Sequence, residues 1–321
     1  MQHTLQPIPF EKGEPEFKEK FIERYSKLTD FDTFKKYSLS FLNRSLRVNT
    51  LKISVDILKK RLEAQGWILE QIPWYPEGFW IEHKEGRRDL GNTIEHQLGY
   101  FYIQEAASMI PVIALDPKPG DVAFDMCAAP GSKTTQIAQH MQNTGLVVAN
   151  DVTGVRLAPL GVNVQRLGIS CIVQMQYDGL KMRKPIYMFD KILLDAPCTG
   201  VGTIRKSLKT ISAWNPNFVI HMRNIQKRLL ENAWGMLKPG GVLVYSTCST
   251  EPEENEEVLT LFLEKHPDAS IQPFELPGFT RSPCVLNFEG KVYNPQVAHA
   301  LRVWPQDNDT EGFFVAKLRK S

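Results

Sequence analysis

Nowhere in this 321-residue sequence do about 18 apolar residues follow one another, so no segment reads as a transmembrane helix. The opening MQHTLQPIPFEKGEPEFKEK lacks the basic start and the apolar stretch of a secretory signal. Cysteine is sparse and odd in number, five residues, with no C-x-x-C pair to hold zinc or to run thiol exchange. Excess charge is missing too: the net charge is +2 and the first hundred residues are nearly balanced, so electrostatics alone do not point to nucleic acid. Repeats and low-complexity tracts are absent. What is present is an ordinary globular composition, 42% hydrophobic and 23% charged, in a chain long enough for about two domains. The expectation is a soluble cytoplasmic protein without metal or membrane partners, whose pattern specifies no oligomeric state.

FKEKFIERYSKL and FDTFKKYSLSFL space aromatics at helical intervals, which predicts a helical segment over residues 1–45. From Leu46, LRVNTLKI reads as a strand, SVDILKKRLEAQG as a helix, and ILEQIPWY and GFWIEH as two more strands. This β-α-β-β alternation suits a small α/β module over 46–98, not expected to carry the chemistry. In the third unit, 99–321, the apolar runs DVAFDM, GLVVAND, CIVQMQYD, FDKILLDAP and GVLVYSTCS alternate with helical TTQIAQHM, VRLAPLGVNVQRLG and FVIHMRNIQKRLLENAWGML. Continuous apolar strands between helices imply a parallel sheet covered on both faces. The last strand-like piece, GFFVAKL, is expected to extend that sheet antiparallel.

Each of the five apolar runs ends in residues that are costly to bury: Asp125 with Cys127, Asp151, Asp178, Asp195 with Cys198, and Ser246 with Cys248. A single such Asp is most often a turn or capping residue. The whole set is better explained by ligand binding, because open parallel sheets bind ligands beyond their carboxyl strand ends; the opposite ends are expected to be less acidic. The first run leads into CAAPGSKTT, where Ala128, Ala129 and Gly131 leave room for a ligand at a helix start. Neither a Walker A loop nor the three-glycine pyrophosphate pattern fits, since Cys127 and Ser132 stand where glycines would be needed. A less anionic nucleotide suits this loop better, with Asp151 on ribose hydroxyls and Asp178 on an adenine amine. S-adenosylmethionine, whose sulfonium tolerates carboxylates, is the natural candidate.

Cys198, between Pro197 and TGVGT, lies in a loop. Cys248 precedes STEPEENEEVL, where Thr250 to Glu253 reads as a capping box and Pro252 as a first-turn residue. A helix start directly after Cys248 would favour its thiolate, and the glutamates are then helix-start residues. Cys171 and Cys284 read as small buried hydrophobes. A disulfide between Cys198 and Cys248 is disfavoured in a cytosolic chain, and metal binding lacks neighbouring histidines. Thiols, a carboxylate and a methyl donor together suit methylation of a pyrimidine at C5, where a thiolate adds at C6 and a base then removes the C5 proton.

DMCAAPGSKT, LLDAPCTGVGT and YSTCSTEPEENEE resemble motifs of the Nop/Sun family of RNA cytosine-C5 methyltransferases, and LRVNTLK, YIQEAASM and LRVWPQDNDTEGFFVAKL extend the resemblance along nearly the whole chain from Leu46. It implies a Rossmann-like α/β methyltransferase sheet with helices on both faces, preceded by an RRM-like module. It implies Cys248 as nucleophile, Cys198 as the thiol assisting product release, and Asp195 near the cytosine. Cofactor contacts would come from Cys127, Ala128, Ala129, Pro130, Gly131, Ser132, Lys133, Asp151, Arg156, Asp178 and Asp195. Ser132, the Thr after Cys198 and Gln306 after Pro305 depart from the commoner family residues, and no PUA-type domain is expected after GFFVAKLRKS.

RNA, either transfer or ribosomal, is the implied partner. Contacts are expected from Arg47 and Asn49 in the N-terminal module, and from Arg205, Lys206 and Lys209 beside Trp214 in the loop after Cys198. Two other readings stay open: a DNA cytosine-C5 methyltransferase, and a non-catalytic RNA-binding scaffold.

Overall fold

The computed structural model describes residues 15–182 and 189–321, so the first fourteen residues of the N-terminal segment lie outside the described residues. Helices α1 (Glu19–Tyr25) and α2 (Phe31–Ser38) form where the aromatic spacing predicts them. Asp30 caps α2, its side chain accepting from Thr33 N at 2.7 Å. Phe21 stacks on Tyr25 with ring centroids 4.0 Å apart, and with Phe34 these rings pack on Trp214 and Trp304 of the C-terminal half. The segment is therefore fastened to the C-terminal half by aromatic burial.

Strand β1 (Ser45–Val48), helix α3 (Val55–Glu63), strands β2 (Trp67–Gln71) and β3 (Gly78–His83), helix α4 (Ile94–Gln97) and strand β4 (Phe101–Ile103) follow. They build a four-stranded antiparallel sheet in the order β2-β3-β1-β4. Leu46, Val48, Leu58, Leu62, Trp67 and Phe101 give it a core of its own. The fourth strand falls past residue 98. It is too short to show a period, and only its pairing with β1 identifies it.

After α5 (Ile110–Leu115) the chain alternates β5 (Val122–Asp125), α6 (Ser132–His140), β6 (Leu146–Asp151), α7 (Gly154–Leu167), β7 (Ile172–Gln176) and β8 (Phe189–Asp195). Then come α8 (Lys209–Ala213), α9 (Pro216–Met236), β9 (Leu237–Thr247), α10 (Glu256–Leu263) and β10 (Ala269–Gln272). A small ribbon of β11 (Asn287–Phe288) and β12 (Lys291–Val292), then β13 (Leu301–Val303), α11 (Pro305–Asn308) and β14 (Phe313–Lys320) complete the described chain.

The large sheet runs β10-β14-β9-β8-β5-β6-β7, with β13 also on β14. Strands β5 to β9 are parallel, and β14 joins β9 antiparallel, as GFFVAKL predicts. Alternate side chains leave the sheet on opposite sides. Ala123, Leu193 and Val244 enter one core with α5 and α6 residues; Phe124, Ile192, Leu194, Leu243 and Tyr245 enter the other with α9 and α10. Both faces are covered, which is why the strands read as unbroken apolar runs. Among the described residues no helix is long and apolar enough to cross a membrane.

From central β5 the chain moves outward to β6 and β7, then returns to place β8 on β5's other side. Such a reversal parts the connections on either face and leaves a crevice at the carboxyl ends of the two strands. Asp125 and Asp195 terminate them.

Candidate active site

Two adjoining hollows open at this crevice. One, of about 370 Å³, is bordered by Asp151, Arg156, Asp178, Pro197 and Cys198 with apolar Ile225 and Leu229. The other, of about 260 Å³, is bordered by Tyr102, Glu105, Lys133, Lys206, Glu311 and Phe313. Cys127, Ala129, Asp195 and Cys248 line both. Tyr102 and Ile103 of β4 and Gln104 and Glu105 just after it therefore reach the site.

The thiols of Cys198 and Cys248 meet here, Sγ to Sγ 3.1 Å, as free cysteines. They approach because β8 and β9 are adjacent parallel strands, with Asp195 level with Ser246, so the loops that follow leave the sheet side by side. The contact with Cys248 raises the Cys198 pKa, and burial raises it further, so Cys198 keeps its proton. Lys133 Nζ donates to Asp195 Oδ2 at 2.7 Å, and Ser246 Oγ donates to Asp195 Oδ1 at 2.8 Å. Burial opposes charge on Lys133, but Asp195 outweighs it and raises the lysine's pKa, with Cys248 adding to the effect.

In the loop 127–133, Gly131 has φ +102, and a Cβ there would stand 3.1 Å from Leu160 Cγ, so α7 packs closely on the loop because no side chain intervenes. Cys127 and Ala129 face the first hollow; Ala128, Pro130, Ser132 and Lys133 border the second with Cys127 and Ala129. Asp151 Oδ2 accepts from Ala129 N at 3.3 Å and lies 3.4 Å from Arg156 Nη1. Asp178 Oδ1 accepts from Leu180 N at 2.9 Å. Asp125 is different. Its Oδ2 accepts from Thr134 Oγ1 at 2.6 Å, its Oδ1 has no hydrogen-bond partner among the described residues, and burial pushes its pKa up to about 7.

The structure corrects several expectations. Arg205 is walled in: it pairs with Asp309 at 2.8 Å and donates to the carbonyls of Phe41 and Thr310, so it cannot meet a phosphate. Trp214 is a core residue donating to Glu251 Oε1 at 2.7 Å. Arg47 and Asn49 are buried where the module meets the large sheet's helices. Arg47 bonds Gln104, Gln139 and Thr135, and Asn49 bonds the carbonyls of Gly99 and Leu167. Only Lys206 and Lys209 of the five proposed RNA contacts are exposed. No capping box forms at Thr250: α10 does not begin until Glu256, and its N-cap, Asn255, makes no side-chain capping bond. α10 therefore does not start beside Cys248. The opposite strand ends are less acidic but not free of carboxylates: the starts of β5 and β8 carry Asp121 and Asp190, which accept from Lys118 N and Lys238 Nζ. Position along the strand, not acidity alone, marks the site.

The glutamates after Cys248 are instead buried anchors. Glu251 and Glu253 take the Arg24 guanidinium of α1, and Glu251 also bonds Tyr25. Glu254 bonds the Cys198 loop. Nothing in a charged E-x-E-E run distinguishes these from exposed helix-start residues, because their partners are distant in sequence.

A family model described as 16S rRNA methyltransferase RsmB/F matches residues 112–319, and one described as the N-terminal domain of 16S rRNA methyltransferase RsmF matches residues 17–106. The chain belongs to the RsmB/F methyltransferase family. It is 46% identical over 302 residues to the tRNA (cytosine(49)-C(5))-methyltransferase of Pyrococcus abyssi (strain GE5 / Orsay), covering 94% of this chain and 96% of that protein. It is 44% identical over 282 residues to the ribosomal RNA small subunit methyltransferase F of Vibrio campbellii, covering 87% of this chain but 57% of that one. The crystal structure of NSun6 from Pyrococcus horikoshii with SFG matches with a TM-score of 0.83 at 26% identity, covering 95% of this chain and 98% of that one. A methyltransferase homolog protein from Pyrococcus horikoshii matches with a TM-score of 0.81 at 38% identity, covering 95% and 100%. The Rossmann-like methyltransferase fold expected from the sequence, and the S-adenosylmethionine-dependent family it implies, are those found.

Proposed function

We propose that this chain methylates C5 of a cytosine in RNA, with transfer RNA as the substrate class, in the cytoplasm. The observation that carries this reading is the 3.1 Å approach of the Cys198 and Cys248 sulfurs at the wall shared by two hollows. Transfer RNA is favoured because the relative acting on it is matched over 96% of its length.

The first hollow suits S-adenosylmethionine: Asp151 and Asp178 offer acceptors to ribose hydroxyls and an amine, Ile225 and Leu229 offer apolar walls, and the carboxylates suit a sulfonium. When bound, the cofactor supplies an electrophilic methyl group. The second hollow would take the cytosine, flipped from its stack. Cys248 adds through sulfur to C6, breaking the C5–C6 double bond and making C5 nucleophilic. Asp195, oriented by Lys133 and Ser246, acts in its protonated carboxyl form, donating its proton to N3, where negative charge develops. After methylation a base removes the C5 proton, the C5–C6 double bond re-forms, and the Cys248 thiolate leaves. Cys198, holding its proton beside Cys248, protonates the departing sulfur.

Labelled cofactor offered with transfer RNA, 16S rRNA or DNA tests the substrate. Label in transfer RNA is expected; label only in DNA, or in nothing, would favour the two rival readings. Cys248→Ala should abolish transfer, and Cys198→Ala should accumulate an RNA adduct that survives denaturing electrophoresis.

A further inference from the structure

Glu254 borders neither hollow and is fully buried, yet it touches both thiol loops. Its Oε2 accepts from the backbone N of Thr199, the residue after Cys198, at 3.0 Å. Its Oε1 accepts from the hydroxyl of Ser249, the residue after Cys248, at 2.6 Å, and from the Thr199 hydroxyl. Gln226 of α9 donates to Oε2 at 2.8 Å and to the Pro197 carbonyl at 2.9 Å with the same amide nitrogen. Tyr245 of β9 holds the Glu254 main-chain carbonyl at 2.5 Å.

The two loops are also joined directly, by Gly202 N to the Cys248 carbonyl at 2.9 Å and by the Thr199 and Ser249 hydroxyls at 3.1 Å, but loop backbone is the more mobile part of a fold and Glu254 adds the bonds that tie both loops to α9. An ionised carboxylate only accepts, and each group facing this one is a donor. We propose that Glu254 is a positioning residue that clamps the two loops to each other and to α9, and so fixes the contact between the Cys198 and Cys248 sulfurs. Burial pushes the Glu254 pKa up to about 7 while the bonds from Ser249 and Thr199 pull it down, as expected where several donors offset desolvation. A carboxylate serving only to stabilise the fold would not need to bond the residue after each thiol. The consequence for turnover rests on the release role proposed for Cys198.

The test measures thiol spacing and chemistry separately. A short bis-alkylating reagent, with peptide mapping of the Cys198–Cys248 cross-link, reads spacing without RNA. Glu254→Ala should slow cross-linking by about tenfold or more, lower kcat with the KM values for RNA and cofactor little changed, and build up the covalent RNA adduct. Glu254→Gln keeps the shape and can turn its amide toward the two rotatable hydroxyls, so it should restore most of the cross-linking rate. Thr199→Val, which removes one hydroxyl donor, should fall between and serves if the alanine variant does not fold. Wild-type cross-linking in Glu254→Ala, or in Thr199→Val should the alanine variant not fold, would overturn the clamp. If Cys198→Ala builds no adduct while cross-linking still depends on Glu254, the release role fails and the clamp stands.

Discussion

The ammonium of Lys133 lies 2.7 Å from Asp195 Oδ2, joining the helix that follows β5 to the end of β8 beside the wall common to both hollows. The pair spans the topological switch, so it can act on a base in the second hollow without filling the first. The family resemblance places Lys133 among the cofactor contacts and Asp195 on both cofactor and cytosine; the Lys133 amine bonds Asp195.

Lys133→Met should therefore lower kcat by roughly 10²–10³, the loss typical of removing one preorganised polar group, while S-adenosylmethionine still binds. Single-turnover kinetics and calorimetric titration of the cofactor would check both halves. A large loss of cofactor affinity with unchanged kcat would place Lys133 in the first hollow's chemistry instead.

Gly202 makes a close backbone approach beside Cys248. Its N donates to the Cys248 carbonyl at 2.9 Å, and a Cβ would stand 2.0 Å from Gly312 O and 2.8 Å from Cys248 O. Backbone cannot rotate away as a side-chain tip can. Gly202→Ala should destabilise by more than the ~1–3 kcal/mol of ordinary overpacking and displace Cys248, seen as a lower melting temperature with loss of methyl transfer.

Arg205 and its neighbours should separate stability from RNA binding. Removing one member of a buried ion pair typically costs about 3–5 kcal/mol, so Arg205→Ala should lower the unfolding midpoint sharply and leave the salt dependence of RNA binding unchanged in the folded fraction. Lys206→Ala and Lys209→Ala, both exposed, should leave stability nearly unchanged and each reduce the salt slope by about 1 if they contact phosphate.

Asp125 predicts a pH dependence. Its pKa is raised from 3.8 to about 7 by burial, with Asp195 adding to the effect, so the folded state holds this proton more tightly than the unfolded chain. Its contribution to stability is fully present below about pH 4 and is lost as pH rises toward 7. Asp125→Asn keeps an acceptor for Thr134 and has no proton to lose, so the variant should gain on the wild type between pH 5 and pH 8 in urea unfolding. An equal difference at both pH values would contradict the assignment.

The large sheet was legible because its signals are local. Five apolar runs with helices between them, and a terminal GFFVAKL, specify strands whose neighbours follow from general rules of parallel sheets. Cys198 and Cys248 were legible as a pair for the same reason: each closes a run, and β8 and β9 are adjacent. The helix start at Thr250 failed because the capping pattern is also local, and there long-range bonds prevailed. Arg24 and Tyr25 hold Glu251, and Thr199 and Gln226 hold Glu254, which leaves α10 to begin at Glu256.

By itself the sequence determined which residues end strands, and hence that four aspartates and three cysteines gather at one edge of the sheet: alternation and strand length are written within a few residues. Only the tertiary structure decided which polar side chains face that crevice and which are spent inside. Arg205 turns to Asp309 and Thr310, and Arg47 to Gln139, because burying a guanidinium requires acceptors that the fold brings from a hundred residues away or nearly so.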